Sequence, residues 1–226
     1  MATYYSPKIV TDGLVFYLDA ANTKSTSNSS VWADLTESGT SLTKNGSPTL
    51  GLLGGAMCYR MTATGQSFSG SFLGTQPTTN MTIETWIYPE SEVQGDDRGC
   101  IFLNSGGQSG YMSWNKGNQK MSNYWYSHPT EGYWESGAAV SRNTWNSFTC
   151  VWNYNAAVAY QWTNGIKTTS GTTQGNAATG NYIWVGQEGG SRQFAGGIAF
   201  IRVYNIALSD SQVLSNYNAT KGRFGL

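Results

Sequence analysis

The stretch from Phe194 to Tyr217, FAGGIAFIRVYNIALSDSQVLSNY, constrains the fold of this chain more than any other. Its first half alternates with the period of two that is typical of a β-strand, and both sides of the alternation are apolar. One side carries Ile198, Phe200 and Ile206, and the other side carries Ile201 and Val203. A strand that is apolar on both faces is covered on both faces, so we expect a layer of structure on each side of it.

The second half of the same stretch carries the start signal of a helix. Ser209 and Gln212 have the spacing of a capping box, in which each side chain bonds a backbone N–H of the other residue. We therefore predict a short helix over about Ser209–Asn218. The residues that we expect along its buried side are Val213, Leu214 and Tyr217.

Composition favours one folded all-β domain and excludes several classes of protein. Aromatic residues make up 14% of the 226 residues and charged residues only 12%, which argues against disorder and coiled coils. With 13 basic and 13 acidic residues the net charge is zero, so the chain lacks the basic footprint of a nucleic-acid binder. No apolar run reaches the length of a membrane span. The opening residues show neither the basic nor the apolar region of a signal peptide.

Short motifs, taken in order, resemble those of concanavalin A-like, laminin-G-type jelly-roll domains. The motifs are Leu18-Asp19-Ala20, Trp32-Ala33-Asp34-Leu35, the strand Met81 to Pro89, the Asn164-Gly165 hairpin, the strand Tyr182 to Gly186, and F-x-G-x-I-x-x-x-R-V-Y-N-x-A-L-S from Phe194. The resemblance implies a two-sheet antiparallel jelly-roll sandwich with one short C-terminal helix. We divide the chain into an extended arm (1–12), a jelly-roll domain (13–217) and a tail (218–226).

Glycoside hydrolases of this superfamily would need two carboxylates on one strand face. Glu84 is the acid nearest to such a motif, but Thr85 and Trp86 stand where an aliphatic residue and Asp are required. The single histidine, His128, has no serine or cysteine partner in a recognisable set. We expect no catalytic residue, and a glycoside hydrolase is the remote alternative.

A carbohydrate-binding, lectin-like adhesion module is the nearer alternative. Consecutive aromatic residues in a strand point to opposite faces, so some members of two aromatic runs should meet solvent, a ligand or a partner chain. The runs are Tyr124, Trp125 and Tyr126, and Tyr133 and Trp134. Flat rings of this kind stack on the C–H faces of sugars. The competing interpretation is that they belong to an aromatic core and a covered sheet face.

Cysteines and acidic residues predict neither a disulfide framework nor a metal site. Cys58, Cys100 and Cys150 are widely spaced and odd in number, and each lies in an apolar run, so we expect buried, reduced thiols. The acids from Glu92 to Asp97 fit a solvated turn. We expect no metal and no cofactor.

Both ends of the chain resemble laminin-G-type virion proteins of tailed bacteriophages. The segments concerned are GLVFYLDAANTKS near the start and NYNATKGRFGL at the end. The resemblance implies a non-enzymatic structural protein of a virion, on the capsid as decoration or on the tail, made in the host cytoplasm. Its partners would be other virion proteins or further copies of itself, with host-surface glycans as additional ligands.

Apolar residues in the terminal segments predict assembly contacts with other chains. They are Tyr4, Tyr5 and Ile9 in the arm, and Phe224 and Leu226, with the basic Arg223 beside them, in the tail. Neither segment shows an alternating pattern that would complete the sandwich, so we expect that the domain folds without them. The alternative is that both ends fray, as many termini do.

Overall fold

The computed structural model of the chain describes residues 8–73, 77, 79–90, 98–105, 110–125, 132–135, 139–171, 181–187 and 192–226. The elements in this part of the chain are β1 (Leu14–Asp19), α1 (Thr23–Thr26), β2 (Val31–Ala33), β3 (Ser41–Asn45), β4 (Thr49–Leu53), β5 (Ala56–Met61), β6 (Ser67–Ser71), β7 (Asn80–Pro89), β8 (Arg98–Ser105), β9 (Gly110–Asn115), β10 (Lys120–Trp125), β11 (Gly132–Glu135), β12 (Asn146–Asn153), β13 (Val158–Thr163), β14 (Ile166–Gly171), β15 (Tyr182–Val185), β16 (Gly196–Tyr204), α2 (Asp210–Thr220) and a 3₁₀ turn (Lys221–Phe224).

The strands form two antiparallel sheets of eight strands each, which confirms the predicted jelly-roll sandwich. Sheet A has the order β14–β13–β12–β7–β16–β5–β4, and β1 pairs with β16 beside β5. Sheet B has the order β11–β10–β9–β8–β15–β6–β3–β2. The Asn164-Gly165 turn joins β13 to β14 with φ angles of 51° and 77°, as the sequence predicted for a hairpin that needs positive φ at both positions.

The main core lies between the two sheets and follows from the strand alternation. In β7, Met81, Ile83 and Ile87 point inward and are at most 2% exposed. Met112 and Trp114 of β9 meet them from sheet B within the same apolar cluster. Because side chains alternate along a strand, the residues between these positions point to the outer faces of the sandwich.

Strand β16 is central to sheet A, and all nine of its residues are buried, which confirms that both of its faces are covered. A register shift between Ile198 and Phe200 changes the predicted sides. Ile198 therefore joins Ile201 and Val203 in the main core, while Phe200 lies in a separate cluster. The alternation counted from the sequence was wrong at this point because a bulge adds one residue to the strand.

The C-terminal helix α2 and the turn that follows it cover the outer face of sheet A. The predicted capping box is present: the Ser209 side chain accepts from the Gln212 N–H, and the Gln212 side chain accepts from the Ser209 N–H. Val213 and Asn216 are the buried residues of the helix. Leu214, which we expected on the buried side, is 38% exposed, so the buried face is more polar than the sequence suggested.

The described residues contain no helix long and apolar enough to span a bilayer. Cys58 and Cys150 are free and buried, as predicted, and the side chain of Cys100 lies outside the described part of the structure.

Candidate binding surface

Two aromatic side chains of β15 lie on the outer face of sheet B. Ile183 and Val185 are 1% and 0% exposed in the main core, so Tyr182 and Trp184 point away from it. Both are half-buried. Their ring centroids are 5.5 Å apart and the ring planes are inclined by 55°. The strand therefore presents two fixed rings with part of their surface open.

A hydrogen-bond network of small polar side chains lies beside these rings. Ser69 of β6 pairs with Trp184 through the backbone. Its hydroxyl oxygen accepts from the Tyr182 hydroxyl at 3.2 Å and from Asn45 Nδ2 at 2.9 Å. Asn45 Nδ2 also donates to the Ser67 hydroxyl at 3.2 Å. We call Asn45, Ser67, Ser69, Tyr182 and Trp184 the sheet B patch.

The sheet B patch combines ring surface with hydrogen-bonding groups. Ser69 is only 5% exposed and accepts both of these bonds, so its own O–H donates in neither of them. The two bonds that Asn45 makes use its nitrogen, and its carbonyl oxygen takes part in neither. Small-molecule sites usually combine aromatic side chains with a small number of polar groups. This combination suits a ligand in which C–H and O–H groups alternate.

The predicted aromatic runs lie on the same sheet, toward its β11 edge. In the backbone register Tyr124 pairs with Tyr133, and Asn123 pairs with Trp134. The side chains of Tyr124, Trp125, Tyr133 and Trp134, and the whole of Tyr126, lie outside the described residues. Strand β10 is three strands from β15, or about 14 Å at the usual strand spacing. Their role as a binding surface stays a prediction.

Two described residues of the predicted assembly set, Arg223 and Phe224, make side-chain contacts within the chain. Arg223 Nη1 donates to both carboxylate oxygens of Asp19, at 2.8 and 3.0 Å. The Phe224 ring stacks on Trp86 with centroids 4.0 Å apart. Leu226 is 56% exposed, and Ile9 is half-buried; Tyr4 and Tyr5 lie outside the described part of the chain.

These contacts correct our premise that the C-terminal residues do not complete the sandwich. Phe224 joins Trp145 and Phe200 in an apolar cluster on the outer face of sheet A. Near the other end of the chain, the Val10 N–H donates to Asn216 Oδ1 at 2.7 Å. Residues 8–10 and 221–224 therefore belong to the folded layer. The sequence analysis missed them because these segments attach through single side chains, which a search for alternating residues does not detect.

Glu84, the acid considered for catalysis, is buried beneath α2. It accepts from Asn216 Nδ2 at 2.8 Å and from the Tyr204 hydroxyl at 3.4 Å, and Arg202 Nη1 is 3.7 Å away. Burial raises the pKa of Glu84, while Arg202 and the two hydrogen bonds act in the opposite direction. The geometry gives this carboxylate a structural role, since it holds the helix against sheet A.

A pocket between α2 and sheet A is lined in part by Glu84, Arg202 and Trp86. Its volume, including the open mouth, is about 220 Å³, whereas ligand pockets usually begin near about 300 Å³. Among the residues that the structure describes, no group of three or more His, Cys, Asp or Glu side chains could hold a metal ion. The Asp34 carboxylate, one of the acids at a strand end, accepts from the Tyr17 N–H at 2.7 Å and the Thr36 N–H at 3.1 Å.

Residues 62–214, more than half of the chain, match the family model described as the concanavalin A-like lectin/glucanases superfamily, of the third laminin-G type. The chain belongs to this family. A search of curated proteins finds no match.

Solved structures with the same family fold include binding domains and sialidases. The receptor binding domain of botulinum neurotoxin D superposes with a TM-score of 0.71 at 12% identity, covering 92% of this chain and 53% of that one. A carbohydrate-binding module of the Ruminococcus gnavus sialidase, bound to α2,3-sialyllactose, superposes with a TM-score of 0.58 at 13% identity, covering 70% of this chain and 95% of that one. Trypanosoma rangeli sialidase superposes with a TM-score of 0.66 at 13% identity, covering 99% of this chain and 36% of that one. The chain spans about half the length of the toxin domain, and these likenesses show the fold.

Sequence reasoning identified the strand that carries Tyr182 and Trp184 but not the patch. A signal was present, because Tyr-Ile-Trp-Val places two aromatics on one face and two aliphatics on the other. No comparable signal marks Asn45, Ser67 and Ser69, since β3 and β6 are short and polar and were not predicted as strands. Family membership adds no information on these positions.

Proposed function

We propose that this protein is a non-enzymatic, lectin-like module that binds carbohydrate through the outer face of sheet B. The observation that carries the proposal is the sheet B patch, where two partly exposed rings lie beside the partly exposed Asn45 amide and the buried Ser69 hydroxyl. Aromatic rings supply large contact area at low entropic cost, and the hydroxyl and amide groups fix the orientation of a ligand. Two structural neighbours, a receptor binding domain and a carbohydrate-binding module bound to sialyllactose, support the same class of function.

Binding is tested with a glycan array that includes α2,3-sialyllactose and bacterial surface polysaccharides, followed by titration calorimetry of each ligand found. We expect Trp184→Ala to weaken binding about two- to thirteenfold, which corresponds to an aromatic contact of about 0.5–1.5 kcal/mol. Ser69→Ala, which removes only the hydroxyl, should weaken it less.

The matched variant is Trp134→Ala, at the edge of sheet B that the sequence singled out. If Trp134→Ala abolishes binding and Trp184→Ala does not, the site lies at β10 and β11 and the patch is not the binding surface. If the array finds no ligand for the intact chain, the carbohydrate function is wrong.

A second proposal concerns the setting in which the module acts. The terminal segments GLVFYLDAANTKS and NYNATKGRFGL resemble bacteriophage virion proteins, and we propose that the chain is a structural component of a phage particle, as capsid decoration or on the tail. Glycan binding would then serve adhesion to the host surface. Other virion proteins and further copies of the chain are the proposed partners.

Quantitative mass spectrometry of purified particles tests this setting. Hundreds of copies per particle would indicate a lattice on the head or tail tube, and a few copies would indicate a tail appendage. Absence of the chain from purified particles would rule out the virion role and leave the carbohydrate proposal standing, because the two rest on different observations.

A further inference from the structure

Strand β4 is an exposed edge of sheet A. It lies at the end of the sheet, paired with β5 on one side. Leu50 is 40% exposed and Leu52 is 73% exposed. The two leucines point to the same side because they are two residues apart in a strand. Edge strands of this type are templates for pairing with another chain.

Two other edges, β14 of sheet A and β2 of sheet B, are better protected. Strand β14 carries Lys167, whose ammonium group is bound to Asp210 at 3.0 Å. Strand β2 has only three residues, and short edges and edge lysines are two ways in which proteins prevent pairing. Strand β4, with the sequence TLGLL, contains no charge and no proline. Its exposure is therefore not offset by the usual protection.

The sequence of β4 is complementary to itself in one register. When two copies pair antiparallel about a two-fold axis at Gly51, Leu50 of each copy lies opposite Leu52 of the other. We propose that β4 is a homodimer contact, in which two copies join their A sheets into one continuous sheet through this register. Charge is consistent with a second copy as the occupant, since the chain has 13 basic and 13 acidic residues and like copies do not repel each other.

The expected contact is small. Five residues on each side bury less than the roughly 1,000 Å² of a stable interface, so the pairing should be weak and dependent on concentration. The leucine pairs and the newly formed backbone hydrogen bonds supply its affinity. Such a weak symmetric contact would form completely only where the local concentration of the chain is high.

The register is tested by disulfide trapping in the full chain. A Cβ added at Gly51 meets nothing within 4 Å, and Gly51 does not have a positive φ, so Gly51→Cys is compatible with the fold. Directly opposed residues have Cα atoms about 4.5–5.5 Å apart, within disulfide range. We expect oxidised glutathione to convert Gly51→Cys to a covalent dimer.

The matched control is Thr49→Cys, which is exposed on the same strand. In the proposed register its two copies are about 13 Å apart, so they cannot be bridged. Equal trapping of Gly51→Cys and Thr49→Cys, or trapping of neither, overturns the proposed register.

The contact itself is tested by sedimentation of the chain over a range of concentrations. We expect reversible dimerisation, and Leu52→Lys should raise the dissociation constant at least tenfold because a lysine then faces Leu50 of the other copy. Ile166→Lys on β14, where Ile166 is 67% exposed, should leave it unchanged. A chain that is monomeric at every concentration, or a dimer that Ile166→Lys dissociates and Leu52→Lys does not, overturns the proposal.

Discussion

The outer faces of the two sheets carry similar aromatic side chains, but one face is covered by the rest of the chain and the other is partly exposed. Sheet A presents Trp86 and Phe200 outward, and the C-terminal segment covers both. Sheet B presents Tyr182 and Trp184 outward, and both stay half-exposed. The difference shows that an aromatic residue on the outer face of a strand becomes core or binding surface according to what the rest of the chain lays over it.

The largest effect is expected from breaking the buried ion pair beneath α2. Arg202→Met leaves Glu84 buried without its counter-charge, and we expect the free energy of unfolding to fall by about 3–5 kcal/mol at neutral pH. Because burial raises the folded-state pKa of Glu84, its contribution to stability is fully present below its unfolded pKa and is lost as the pH rises through the folded pKa. The deficit of the variant should therefore shrink in acid.

Denaturant unfolding at several pH values measures this effect. The double variant Glu84→Leu/Arg202→Met is the control, since replacing both members of a buried pair by apolar residues is often neutral. A single variant as stable as the parent at neutral pH would mean that the pair is not enclosed.

A substitution on each face tests the comparison directly. Phe224 is 7% exposed and stacks on Trp86, so Phe224→Ala should cost about 3 kcal/mol. Trp184→Ala on sheet B should cost about 1 kcal/mol or less. Thermal unfolding of the two variants under one condition provides the measurement. Equal losses would mean that the outer face of sheet B is also covered.

The helix that covers sheet A depends on its cap to a smaller degree. Ser209→Ala removes the acceptor of the Gln212 N–H, and we expect a loss of about 1 kcal/mol in unfolding free energy. Ser209→Asp keeps an acceptor at the same position and should stay close to the parent in the same assay. A loss with Ser209→Asp as large as with Ser209→Ala would show that the cap bond is not the cause.

The smallest expected effect is on the reactivity of the two buried thiols, Cys58 under the covering segment and Cys150 in the main core. Burial, with Glu90, raises the pKa of Cys58 to about 12 against the lowering effect of Arg60 and Arg223, and burial also raises the pKa of Cys150. Neither thiol should react with a disulfide reagent at pH 8 until the protein is unfolded, since the thiolate is the reactive form. Peptide mapping after labelling measures the extent of modification at each cysteine. Fast native labelling of either residue would contradict the burial that the structure gives them.

Much of the fold could be predicted because its strongest signals are local. The capping box at Ser209 and the hairpin at Asn164-Gly165 each lie within a few residues of sequence, and both are confirmed. The bulge in β16 could not be predicted, because it depends on the register with β7. The covering role of Phe224 was also missed, since nothing near it in sequence indicates Trp86 as its partner.

The candidate site divides in the same way. Tyr182 and Trp184 could be placed on one face from their own strand, but the network around Ser69 joins residues from three strands that are far apart in sequence. Sequence patterns identify the strand that carries a ring, and only the folded sheet shows which polar groups lie beside it.

Contact between the ends of the chain has a consequence for biosynthesis. Strand β1 pairs with β16, Tyr17 accepts from Arg202 across 185 positions, and Phe224 closes the layer over Trp86. A nascent chain cannot close this layer on the ribosome until Phe224 has emerged. Contacts of such long sequence separation also fold slowly. Before Phe224 has emerged, the rings of Trp86 and Phe200 on the outer face of sheet A therefore lack the cover that they have in the folded chain.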